Sequence, residues 1–239
     1  MTPDDPFAWL AQLEGVPSAY AGTRDGIDAI LVDRGRRRTT PEQTAESLLL
    51  GAHASAVLEG SESTLEEMRA GEADEVAQAA LRVSTEVLSL VPVVKHSPLQ
   101  AFARLHAVAA KGVIEEERLG RAISSEASAR IQELSAGLTR TKVPGLLQAA
   151  IAHGELITAA PFASHNGIVA RAAERLIMVA TGVDPASVVV PELGHLILRP
   201  GYESHLRGLR EGGQAGLHAW LLYVADAQAK GADASPAGQ

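Results

Sequence analysis

Apolar positions along this chain recur with helical spacing, and the residues between them mark where helices begin and end. Thr40, Pro41 and Glu42 read as a cap followed by a first-turn proline. The apolar residues that follow, Ala45, Leu48, Leu49, Ala52, Val57 and Leu58, predict one helix running toward Gly60. Val76, Ala79, Ala80, Val83, Val87 and Leu90 predict another within 73–91. Shorter helices are expected over PFAWLAQLE (6–14, closed by Gly15) and TLEEMRAG, with another after Ser97-Pro98, closed by Gly112. SAYAGTRDGIDAILVDR predicts a helix weakened by Gly22 and Gly26, and SSEASARIQELSAG another. PGLLQAAIAHGELIT predicts a core helix. NGIVARAAERLIMVATG is apolar on most sides, which predicts burial. VVVPELGHLIL has the β-branched run of a strand, but Pro191 and its helical neighbours argue against a central strand. GYESHLRGLREGG and AGLHAWLLYVADAQAK predict two last helices. Residues 113–123 read as a surface loop. The pattern predicts an all-α fold without internal repeats.

Length and composition refine this. The 239 residues suit one large domain or two small ones. The expected division is a helical extension over 1–40, a main domain over 41–230, and a disordered tail over 231–239, which is small and polar. Abundant alanine with only 3% aromatics fits closely packed helices. The net charge of -8 argues against a nucleic-acid partner. Arg34, Arg36, Arg37 and Arg38 around Gly35 read as a solvated linker. The absence of cysteine excludes disulfides and thiolate chemistry. The N-terminal residues have no secretory pattern, and no uninterrupted apolar run matches a bilayer. The expectation is a cytoplasmic protein without a membrane partner.

Candidate chemistry concentrates in APFASHNGIVAR, Ala160 to Arg171. Gly167 permits close backbone approach, and Asn166 is placed to cap a helix. The first amides of that helix lack intrahelical partners and favour negative charge. Arg171, about one turn in, can reach a phosphate. His165 is a candidate base and His153 a second one. For both histidines a structural or solvent-facing role is the simpler reading, and no histidine–carboxylate spacing here reads as a metal site.

This stretch resembles the signature of the Fic family, H-P-F-x-D/E-G-N-G-R-x-x-R, at Pro161, Phe162, Asn166, Gly167 and Arg171. Three other stretches fit. PGLLQAAIAHGELIT is similar to the helix before the signature. Tyr202, Leu206, Arg210-Glu211-Gly212 and Trp220 resemble the family's final helices. SAVLEG matches the inhibitory motif S/T-x-x-x-E-G/N at Ser55, Glu59 and Gly60. The resemblance covers most of residues 41–230 and implies a Fic-like helical bundle with N-terminal helices packed on its core.

The resemblance also implies a chemistry. Most such enzymes transfer AMP, or another phosphate-containing group, to a protein hydroxyl, using a histidine base, a metal-holding acid and an anion-binding turn with two arginines. Here the histidine position is Ala160, the acidic position Ser164, the first glycine His165 and the first arginine Ile168. Asn166, Gly167 and Arg171 remain as candidate phosphate-binding residues, and no metal is expected. The leading expectation is a degenerate AMP-transferase relative acting as a regulatory or protein-interaction module with at most residual nucleotide binding, ATP being the candidate ligand and an unidentified protein the partner; a homo-oligomer stays open. The alternatives are an active nucleotidyl or phosphoryl transferase using His165, and a purely structural binding partner. The resemblance predicts a Glu59–Arg171 ion pair that blocks the site of the ATP γ-phosphate.

Overall fold

A computed structural model describes residues 5–33 and 39–236. The arginine run at 34–38 lies outside the described residues. Helices make up the ordered framework, and among the described residues the only β pairing is an isolated bridge between Lys111 and Ile114.

In chain order the helices are α1 (Val16–Asp33), α2 (Pro41–Leu58), α3 (Leu65–Ala70), α4 (Glu75–Val87), α5 (Val91–Val94) and α6 (Pro98–Ala109). They are followed by α7 (Ser125–Arg140), α8 (Gly145–Ala159), α9 (Asn166–Ala180), α10 (Pro191–Ile197), α11 (Arg199–Glu211) and α12 (Gly213–Asp233). The starts follow local chemistry. Thr40 and Thr64 each close a reciprocal capping box, with Gln43 and Glu67. Asp74 and Ser124 cap α4 and α7 through their side chains. Ser97 makes no such bond, and α6 starts on Pro98 alone. Residues 6–14 shrink from a predicted helix to a 3-10 turn at Leu10–Gln12. Gly22 and Gly26 do not interrupt α1, whose Tyr20 and Thr23 donate to the Leu221 and Ala225 carbonyls of α12.

α8 and α9 form the central hairpin, and α9 is buried along most of its length, as its apolar pattern requires. α2, α4, α6 and α10–α12 pack around the pair. One stretch, Glu75–Val94, has the length and composition of a membrane span. Here it is a wall of the core: Ala79, Val83 and Val87 are buried, and Arg82 donates to the Val108 and Ala109 carbonyls at the end of α6. Val188–Val190 are fully buried but form no strand, because Pro191 opens α10 immediately after them. The chain end differs from the expected tail. α12 continues to Asp233, and Ala232 and Ser235 are buried; the small residues there pack because Gly231 lies against the Val190–Pro191 backbone. Residues 237–239 lie outside the described residues.

Candidate functional site

The α8–α9 hairpin turns through Ala160–His165, and its geometry sets the site. Ala160 ends α8 in the left-handed region at φ 41°, and His165 precedes α9 in the same region at φ 55°. Neither is glycine, so each conformation carries a cost of about 1–2 kcal/mol. Asn166 does not cap the helix as the sequence suggested. It is the first residue of α9, and its side chain turns back to close the loop. Its Oδ1 accepts from the Phe162 amide (2.9 Å) and its Nδ2 donates to the Phe162 carbonyl (2.8 Å). No side chain caps α9 at its N-cap position. The amides of its first turn thus retain the partial positive charge of a helix start.

That helix start faces a cleft of about 420 Å³ lined by Glu59, Ala160, His165, Gly167, Tyr202 and Arg210, among others. Asn166 and Arg171 also line it. Arg171 is 1% exposed, yet four of its contacts are defined. Nε donates to Ser55 Oγ (2.9 Å), Nη2 to the Ser55 carbonyl (3.1 Å) and to Glu59 Oε1 (2.7 Å), and Nη1 to the Tyr202 hydroxyl (3.0 Å). The predicted Glu59–Arg171 pair is therefore formed. Glu59 caps the C-terminus of α2, where the helix dipole disfavours a carboxylate. Gly60 turns the chain away at φ 93°, and Arg171 supplies the compensating charge. The same carboxylate lies directly over Gly167: a Cβ added there would collide with Glu59 Oε1. Thus Glu59 is an anion held between Arg171 and the first turn of α9.

The residues replacing the signature's catalytic groups are all accounted for. Ala160 lines the cleft with no group able to move a proton. Ile168 points into the apolar core at 2% exposure. Ser164 pairs its hydroxyl with His165 Nδ1 at 2.8 Å. His165 is half-buried at the cleft wall; burial pushes its pKa down against the pull of Glu59. The acidic ligand that the resemblance assigns to a phosphate-bound cation is missing. The cleft's carboxylates are Glu59, bound to Arg171, and Glu203, bound to Arg199. This donor set does not fit a divalent cation.

His153 is not at the cleft. It is fully buried, and with Glu174 and His195 it forms a cluster that the sequence reading, which saw no histidine–carboxylate grouping, missed. Glu174 Oε2 lies 2.6 Å from His153 Nδ1 and 2.8 Å from His195 Nε2. His153 Nε2 meets the Tyr202 hydroxyl at 3.0 Å, and His195 Nδ1 meets the Tyr223 hydroxyl at 3.0 Å. The network assigns the protons. The ionised Glu174 can only accept, so His153 carries its proton on Nδ1 and donates it there, leaving Nε2 as an acceptor. Tyr202 accepts from Arg171, which can only donate, and gives its own O–H to His153 Nε2. His195 Nε2 donates to the same Glu174 oxygen. The cluster is thus held together by its own hydrogen bonds, and a cation there would have to displace the two protons facing Glu174. Burial holds His153 down at about 4, outweighing the pull of Glu174. Burial pushes the Glu174 carboxyl up, but the two imidazoles prevail and hold it below the usual range. The residue that links this network to the cleft is Tyr202. The available sequence signal was Arg171, Glu174 and Arg175, three charges at helical spacing in an otherwise apolar helix. Arg175 forms a second buried pair, with Glu192 at 2.7 Å.

No protein-family model matches the chain, and no curated protein does. Solved structures do. A Fic family protein from Desulfovibrio desulfuricans G20 superposes with a TM-score of 0.72 at 18% identity, over 90% of this chain and 73% of that one. Residues 134–508 of Fic-1 from C. elegans give 0.66 at 17% identity, over 95% and 76%. A glutamate-to-glycine variant of that Fic-1 fragment gives 0.65 at 16% identity, over the same shares. The chain has the Fic fold.

Proposed function

We propose that this protein is a degenerate Fic module: a regulatory or protein-interaction domain whose cleft binds the phosphates of a nucleotide, with ATP as candidate, and does not transfer them. One observation carries the reading. The Glu59 carboxylate sits on Arg171 and over Gly167, the place where the helix start and a buried guanidinium would jointly hold an anion. Glu59 is the cleft's own anion and would have to leave before another enters. Its side chain is 32% exposed against 1% for Arg171, so the glutamate is the partner that solvent reaches.

Transfer is disfavoured by the same residues. Loss of a general base costs about two to four orders of magnitude in rate, and Ala160 offers none. Ile168 removes a second cation, and Ser164 removes an acidic metal ligand. His165 lines the cleft, but its Nδ1 is engaged by Ser164.

The test is incubation of wild type and Glu59→Gly with magnesium and ATP labelled on the α-phosphate, together with a protein mixture rich in exposed hydroxyls. The expected outcome is no covalent label from either form. Label transferred by Glu59→Gly and lost on adding His165→Ala would overturn the reading in favour of a rearranged transferase.

A further inference from the structure

A second cavity is bordered by residues of α7, α8, α11 and α12 and by the N-terminal residues Pro6–Leu10. Its volume is about 490 Å³, within the range of about 300–1,000 Å³ in which proteins hold small molecules. Phe7, Trp9, Leu134, Ile151, Leu217 and Trp220 give it apolar walls. Both walls are fixed in place. Asp5 pins the N-terminal wall: its carboxylate accepts from the Phe7 amide (3.0 Å), the Thr141 hydroxyl (2.7 Å) and the Lys142 amide (2.7 Å). Phe7 sits against the backbone of Gly137, where a Cβ would meet its ring at 2.5 Å. On the opposite side Trp220 is fully buried, and its indole N–H donates to the Ala150 carbonyl at 3.1 Å. A preformed apolar cavity costs a ligand little ordering. Trp9, by contrast, leaves 44% of its surface uncovered at this cavity.

The rim is charged, and its charges are unequally committed. Arg130 is paired with Glu155 at 2.8 Å. Arg140 donates only to the Ala136 carbonyl one turn back on its own helix and has no carboxylate partner among the described residues. Glu133 stands two turns before Arg140 on α7, so the cavity mouth has a cationic end and an anionic end.

We propose that this cavity is a ligand site for a small amphipathic acid. The ligand has an apolar body against Trp9 and Phe7 and a carboxylate at the Arg140 end, away from Glu133. This site is separate from the nucleotide cleft and does not depend on the reading of it.

The chain has two tryptophans, and both line the cavity, so intrinsic emission reports on it directly. The experiment titrates decanoate, and decanol as its neutral counterpart, into the full chain while following tryptophan emission. The expected result is a saturable one-site change with decanoate. Ala136→Phe, at an exposed position on the cavity mouth, should weaken both ligands by about tenfold. Arg140→Gln should weaken decanoate by about fivefold, the scale of a partly exposed ion pair, and leave decanol unchanged. Emission that does not respond to decanoate would overturn the proposal. So would binding that Ala136→Phe leaves intact, or an equal effect of Arg140→Gln on acid and alcohol. If emission is silent to decanoate but shifts with protein concentration as the chain self-associates, the occupant is a second copy and the proposal fails.

Discussion

Tyr202 has more riding on a single atom than any other residue of the site. Its hydroxyl accepts from Arg171 and donates to His153, so one oxygen joins the cleft to the buried histidine–glutamate network. Tyr202→Phe removes that oxygen and leaves one guanidinium N–H and one imidazole nitrogen buried without partners. An unsatisfied buried group costs about 1–3 kcal/mol, so the variant should lose at least that much in denaturant unfolding while keeping its helical signal. Unchanged stability would mean that the two freed groups find other partners. Single residues also show what the sequence could and could not convey. Glu59 and Arg171 were legible as a pair because each sits in its own short motif. Glu174 and His195 were not, because a helix, a loop and a further helix start intervene between them, and only packing brings their atoms to 2.8 Å. The role of Asn166 was misread for a related reason. Its side chain chooses between an amide ahead of it and a backbone behind it, and the turn at Ala160 decides the choice.

Among the elements, helix positions were largely readable because caps, prolines and apolar spacing agree with one another. The contacts between helices depend on small residues whose neighbours the pattern does not reveal. Gly194 in α10 is one. A Cβ there would overlap the Ala227 carbonyl of α12 and stand 2.8 Å from the Gly231 amide nitrogen, both of them backbone atoms that cannot rotate away. Gly194→Ala must therefore push α10 from α12. The expected loss is about 1–3 kcal/mol, as for overpacked cores. Gly208→Ala, on α11 with open space around it, should leave stability unchanged or slightly raised. Thermal unfolding of the two variants side by side checks the contrast; equal effects would mean that α10 is not clamped where described. The α10–α12 contact matters to the site because α10 carries His195 and Glu192, which hold Glu174 and Arg175 in α9.

The whole molecule should unfold in acid through its buried histidines. His106 and His153 are both held at about 4, each chiefly by burial, against an ordinary value of 6.5. Their folded pKa is depressed, so the unfolded chain binds more protons between about pH 6.5 and 4. Stability is complete above that window and falls as pH drops through it. The Glu174 carboxylate, held below its ordinary range, adds to the loss below about pH 4.5. For the fully buried His153 the contribution is on the order of 3 kcal/mol. Thermal midpoints across the window should decline, and His153→Gln should flatten the slope; a midpoint independent of pH from 7 to 4 would contradict the assignment of neutral buried imidazoles.

The central claim for the whole molecule is that the Fic fold here keeps a phosphate site closed by its own glutamate. It is tested most directly by calorimetric titration of ATP, with and without magnesium, into wild type and Glu59→Gly. The account predicts binding by Glu59→Gly at least about tenfold tighter than by wild type, and, because the cleft lacks an acidic cation ligand, little change with magnesium. Equal affinity in the two proteins, or no binding to a folded Glu59→Gly, would contradict it.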